Sequence, residues 1–129
     1  MSPKVMIVDD DALMTRLYQG HLERAGYRLV VAASGRQAIA LALSERPAVI
    51  VMDIMMADMD GLSALRELKG NELTKTIPVI VVSAHPEYRM CQQEALGSGA
   101  STFLPKPFAP AQLLSEIQRL VVPSADASG

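Results

Sequence analysis

The sequence predicts an α/β fold in which a parallel sheet carries helices on both faces. Three observations support this. Short apolar runs recur at Lys4–Val8, Arg28–Ala32, Ala48–Asp53, Pro78–Val82 and Thr102–Leu104, with helical periodicity between them. The run from Val49 to Met52 is apolar throughout, as suits a parallel strand covered on both sides. Polar groups stand where the runs stop: Asp9 and Asp10, Asp53, Ser83 and Lys106.

The elements follow in order. The first strand ends at Asp9-Asp10-Asp11, and Asp11 or a neighbour caps the helix that follows. Met14, Leu17, Tyr18, Leu22 and Ala25 recur at helical spacing and are expected to face the sheet, with Gly26 as the stop. After the second strand, Ser34-Gly35-Arg36-Gln37 has the form of a capping box. Its helix runs to about Ser44, with Ala38, Ile39, Ala42 and Leu43 inward, and Pro47 prevents continuation. The third strand leads through a polar loop to a short helix, Gly61–Lys69, whose inward residues are Leu62, Leu65 and Leu68. The fourth strand ends at Ser83-Ala84, and a helix from Glu87 to about Leu96 is closed by Gly97 and Gly99. The fifth strand leads to Pro105-Lys106-Pro107-Phe108. Pro110 then opens the last helix, with Leu113, Leu114, Ile117, Leu120 and Val121 inward. Residues 1–122 are expected to form one domain and residues 123–129 a fraying tail.

Composition narrows the function classes. The chain of 129 residues is half hydrophobic and one-fifth charged, which fits a soluble globular domain. A formal net charge of −2 gives no electrostatic reason for nucleic-acid or membrane binding. No apolar run approaches the roughly 18 residues of a membrane span, and the N-terminus is not a signal peptide. The single cysteine, Cys91, cannot form a disulfide within one chain. These features point to the cytoplasm.

In a parallel sheet, the strand ends that carry Asp9, Asp10, Asp53, Ser83 and Lys106 share one edge. That is the edge where open α/β sheets bind ligands. Carboxylates a few Å apart repel by about 1–4 kcal/mol per pair, so a counter-charge is expected. A hard divalent cation suits oxygen ligands, and Mg²⁺ in particular leaves room for a phosphate oxygen. No His and Cys cluster is present for zinc. A carboxylate beside such a cation can attack phosphorus, with a lysine and a hydroxyl holding the phosphoryl oxygens.

Four segments, VMIVDDD, VMDIMMADMDGL, VIVVSA and FLPKPF, occur in order, each at a strand end. On these the sequence resembles the receiver domain of two-component response regulators, in the single-domain form found among chemotaxis regulators, from about Lys4 to Val122. The resemblance implies a five-stranded sheet of order 2-1-3-4-5, an order for which a receiver is among the standard examples. It implies that Asp53 is the phosphoacceptor and that Asp9, Asp10 and Asp53 bind Mg²⁺ together with the backbone carbonyl of Met55. Ser83 and Lys106 would bind the phosphoryl group, Lys106-Pro107 would be cis, and Phe103 would be the switch aromatic. Phosphorylation adds about 1.5–2 negative charges. Ser83 would then donate to the phosphoryl group, Phe103 would rotate inward, and the face of helix four, strand five and helix five would favour a partner. Tyr88, Arg89, Gln92 and Gln112 are the candidates on that face. The implied partners are a sensor histidine kinase or histidine phosphotransfer protein and a downstream protein target. Two positions depart from the family pattern: Ala57, where proline is usual, and Ala109, where a capping residue is common.

Other readings fit the residues less well. A haloacid-dehalogenase-like phosphatase carries an aspartate two residues after its nucleophile, where this chain has Met55. A nucleotide or flavin binder needs a glycine-rich first loop, and here that loop is Asp9-Asp10-Asp11. A pseudo-receiver that only binds partners would not need the full set of site residues.

Overall fold

The computed structural model describes residues 3–54, 61–83 and 88–121, the last segment without the side chains of residues 88–91. The elements alternate strictly: β1 (Lys4–Val8), α1 (Ala12–Arg24), β2 (Arg28–Ala32), α2 (Gly35–Glu45), β3 (Val49–Asp53), α3 (Gly61–Gly70), β4 (Val79–Ser83), α4 (Tyr88–Gly97), β5 (Thr102–Pro105) and α5 (Pro110–Leu120). All strand pairs are parallel and the order is β2-β1-β3-β4-β5. The predicted sheet and helix count are therefore observed, with boundaries within a residue or two. The predicted tail lies outside the described residues.

Strand alternation divides the apolar residues between two layers. Val5, Ile7, Val49, Val51, Ile80 and Val82 pack with Tyr18 and Leu22 of α1 and Leu113 and Ile117 of α5. On the other face, Met6, Val8, Ile50, Met52, Val79 and Val81 meet small and aliphatic residues of α2, α3 and α4. Every residue of β3 and β4 is buried, which explains their unbroken apolar sequences.

Helix α1 buries Thr15, Tyr18 and Leu22, a line narrower than its apolar pattern. Leu17, expected to face the sheet, is 54% exposed, and Ala25 is exposed as well. Leu17 lies a helical step of about 100° from Tyr18 and is carried out of the contact line. On α2 the line is Gly35, Ala38 and Ala42, small enough for close approach to the sheet, and Leu43 turns outward. Helix α2 ends without glycine: Arg46 takes the left-handed conformation (φ 51°) and donates its N–H to the Ala42 carbonyl. The Ser34 hydroxyl accepts from the Gln37 N–H, and the Gln37 side chain accepts from Ala33, one residue before the expected partner.

Candidate functional site

The C-terminal ends of β1, β3, β4 and β5 bring the predicted residues to one edge. At β1, the Asp9 N–H continues the ladder by donating to Ala32, and Asp9 is buried. Its Oδ1 accepts the Asp11 N–H at 2.8 Å. Asp11 itself caps α1 by accepting from the N–H groups of Leu13 and Met14. Asp10 lies on the exposed rim.

Asp53 closes β3 and is 7% exposed. Next to it, the Ile54 N–H donates to the Val82 carbonyl and the Gly61 N–H donates to the Ile54 carbonyl. A Cβ at Gly61 would come within 2.7 Å of the Asp53 carbonyl oxygen and within 2.9 Å of the Ile54 side chain. Glycine is therefore what lets α3 begin directly against the phosphoacceptor candidate.

Ser83 ends β4, fully buried and paired in register with Pro105. Its carbonyl accepts the Lys106 N–H at 2.7 Å. The Lys106-Pro107 peptide is cis, as the resemblance implies. From this anchored backbone the Lys106 ammonium reaches 2.9 Å from Asp53 Oδ2 and 3.5 Å from Asp9 Oδ2.

The electrostatics follow from this geometry. Burial raises the Asp9 pKa, outweighing the Asp11 N–H and the Lys106 charge that act against it. Burial also acts to lower the Lys106 pKa, but the hydrogen bond and charge of Asp53, with Asp9, outweigh it and hold Lys106 above the ordinary lysine value. The three charged groups thus form one unit.

Two expectations bear on this geometry. Of the three expected carboxylates, Asp9 and Asp53 share the Lys106 ammonium, and Asp10 stands next to Asp9 on the rim. Among the described residues no three acidic, histidine or cysteine side chains group closely enough to hold a cation. Phe103, the candidate switch, is only 8% exposed and belongs to the core on the α2–α4 face, so in this structure the ring is already inward. Met55 and the side chains of Tyr88 and Arg89 lie outside the described residues. Gln92 is half-buried. Gln112 is exposed, but its side-chain oxygen accepts the Ala109 N–H, the one half of a capping box that does not need a polar side chain at Ala109.

The sequence did not reveal one contact. Tyr18 of α1 stacks on Phe108, two residues after Lys106, with ring centroids 5.8 Å apart and planes within 9°. Such a pair contributes about 0.5–1.5 kcal/mol beyond its buried area. The one available signal was a tyrosine at an inward position in a chain with five aromatic residues (three Tyr, two Phe).

The model of the response regulator receiver domain matches residues 5–118. The chain belongs to the response regulator receiver family. Among curated relatives, this receiver is 35% identical over 120 residues to the response regulator PleD of Caulobacter vibrioides, covering 93% of the chain and 26% of PleD. It is 30% identical to the alkaline phosphatase synthesis transcriptional regulatory protein PhoP of Bacillus subtilis, covering 94% of the chain and 49% of PhoP. The receiver thus spans from about a quarter to a half of these relatives. Among solved structures, it superposes on the chemotaxis response regulator CheY4 of Vibrio cholerae with a TM-score of 0.85 at 32% identity, covering 93% and 99% of the two chains. It also matches the receiver domain of the sensor histidine kinase PA1611 of Pseudomonas aeruginosa, with a TM-score of 0.84 at 29% identity and coverage of 94% and 98%. That structure has a magnesium ion coordinated in its active-site cleft.

The donor chemistry of this receiver fits such an ion. Asp9 and Asp53 already converge on one positive centre and offer only oxygen atoms, the ligand set of a hard cation. Among the described residues no helix is long and apolar enough to cross a membrane.

Proposed function

We propose that this receiver accepts a phosphoryl group on Asp53 from a phosphohistidine of a sensor histidine kinase or a histidine phosphotransfer protein, and passes the signal to a downstream protein in the cytoplasm. The observation that carries this reading is the Lys106 ammonium held between Asp53 and Asp9 at the C-terminal sheet edge.

An Asp53 oxygen attacks phosphorus in line, the P–N bond to the donor imidazole breaks, and its electron pair leaves with the imidazole, which takes up a proton. Asp53 is held for this attack at the buried end of β3, beside the Ile54 N–H bond to Val82 and the Gly61 N–H bond to Ile54. Lys106 stays charged throughout, because its carboxylate neighbours raise its pKa, and it holds a phosphoryl oxygen as charge moves from the donor. The Ser83 hydroxyl donates to another. Asp9, Asp10, Asp53 and the Met55 carbonyl are the groups that would hold Mg²⁺, which when bound would supply positive charge for phosphoryl oxygens.

The added charge on Asp53 then draws Ser83 toward it. This stabilises the buried position of Phe103 against an exposed one and biases the α4–β5–α5 face toward its partner. The residues we assign to that face are Tyr88, Arg89, Gln92 and Gln112.

Intact mass after incubation with Mg²⁺ and acetyl phosphate, beside Asp53→Ala, tests the acceptor. One added phosphoryl group is expected, absent without Mg²⁺ and absent in the variant. A receiver that gains no phosphoryl group and shows no NMR change with beryllofluoride would instead be a partner-binding pseudo-receiver.

A further inference from the structure

We propose that Tyr18 is a positioning residue for Lys106, acting through its ring stack on Phe108. This deepens the phosphoacceptor reading and rests on it only for the kinetic consequence.

The segment from Lys106 to Phe108 connects the end of β5 to the cap of α5. One end is fixed by the Lys106 N–H on the Ser83 carbonyl. The other end is fixed by Phe108, whose ring lies flat on Tyr18. Tyr18 is 5% exposed and sits in the layer between α1, α5 and the sheet, so the platform under Phe108 is itself held by the core.

Tyr18 also belongs to the helix that follows the acids. Asp11 caps α1 and donates its N–H to Asp9, and Tyr18 follows two turns later. The stack therefore ties the helix whose N-cap is bonded to Asp9 to the segment that places Lys106. By strand alternation, Asp9 and Asp53 project from the same sheet face as Ile7 and Val51, which is the face packed against α1 and α5. The aromatic pair stands beside that cluster and, with Lys106 and Pro107, lines a cavity of about 270 Å³. The lysine thus has the aromatic pair on one side and the two carboxylates on the other.

Electrostatic evidence agrees with this placement. Burial raises the Tyr18 pKa, and Lys106, Asp9 and Asp53 all act on the phenol from nearby. The positioning role belongs to the ring, and the hydroxyl is not needed for it.

The test compares Tyr18→Leu, Tyr18→Phe, Phe108→Leu and the double variant Tyr18→Leu/Phe108→Leu in the full chain. Two readouts are used: the NMR signals of the Lys106 ε-CH₂ and ammonium, recorded without phosphodonor, and the initial rate of acetyl phosphate labelling. In Tyr18→Leu the Lys106 signals are expected to move toward those of a solvated lysine and the labelling rate to fall roughly fivefold. Tyr18→Phe should restore both, and the double variant should be no slower than the slower single one.

Wild-type Lys106 signals in Tyr18→Leu would overturn the proposal, as would single-variant effects that multiply. If Tyr18→Leu unfolds, Phe108→Leu and Tyr18→Phe still decide. Altered Lys106 signals in a protein whose wild type takes no phosphate would retain the positioning role and reject the phosphoacceptor reading.

Discussion

Lys106 Nζ lies 2.9 Å from Asp53 Oδ2, although the two residues are 53 positions apart in the chain. The ammonium offsets two carboxylates that are themselves almost out of solvent. Lys106→Met should therefore destabilise the receiver at neutral pH. Removing one partner of a buried ion pair costs about 3–5 kcal/mol, and the low end is expected because Lys106 keeps some solvent contact. Urea denaturation in EDTA measures this. Added Mg²⁺ should recover part of the loss by replacing the missing positive charge. An unchanged midpoint would show that water already neutralises the pair.

Gly61→Ala tests the close approach of the start of α3 to Asp53. The new methyl group would press on the Asp53 carbonyl and on Ile54, both parts of a fully buried strand end. The expected destabilisation is about 1–3 kcal/mol, typical of overpacking. Labelling by acetyl phosphate should slow as well, because the carboxylate moves with its backbone. Full stability with full labelling would contradict the close fit of α3 against β3.

A polar group of three ties α5 to β5. The Thr102 hydroxyl donates to Glu116 and accepts from Arg119, and Arg119 also donates to Glu116. The hydrogen bond from Arg119 lowers the Glu116 pKa against the opposing effect of burial, and the Thr102 hydroxyl and the Arg119 charge add to the lowering. A carboxylate held below its ordinary value contributes stability above the unfolded value near 4.5, and that stability is lost as pH falls through the folded value. Glu116→Gln should remove this acid-side loss. Stability measured from pH 3 to pH 7 should show wild type and variant converging in acid. Thr102→Val should cost about 1 kcal/mol at neutral pH.

Phe103→Ala separates the two roles of that ring. Buried against the α4 side of the sheet, it should cost about 3–5 kcal/mol on truncation. If beryllofluoride consolidates the inward position, the wild type should gain stability on binding it by more than the variant does. Equal gains would make Phe103 a plain core residue.

Most of the architecture was legible because it depends on short-range pattern. The apolar runs VMIV, VIVM and VIVV are buried on both faces, and a strand under helices tolerates little else. The chemistry was legible because parallel strands deliver their ends to one edge, so Asp9, Asp53, Ser83 and Lys106 could be grouped before their distances were known. What escaped depends on contacts between elements. Leu17 and Tyr18 are adjacent and both apolar in character, and only the placement of α1 against the sheet and α5 decides which is buried. Likewise, Gln112 accepts the Ala109 N–H at the start of α5, a contact that alanine at the cap position does not announce. The inward position of Phe103 depends on the space left by Val81, Ala95 and Ala100, which no single segment specifies.

The acids come early in the chain and their counter-charge comes near its end. Asp9 and Asp53 belong to the first and third strands in chain order, whereas Lys106 follows the fifth. A nascent receiver halted before β5 would hold both carboxylates without the lysine that joins them. The charged edge is therefore complete only once the fifth strand has been made and paired with β4.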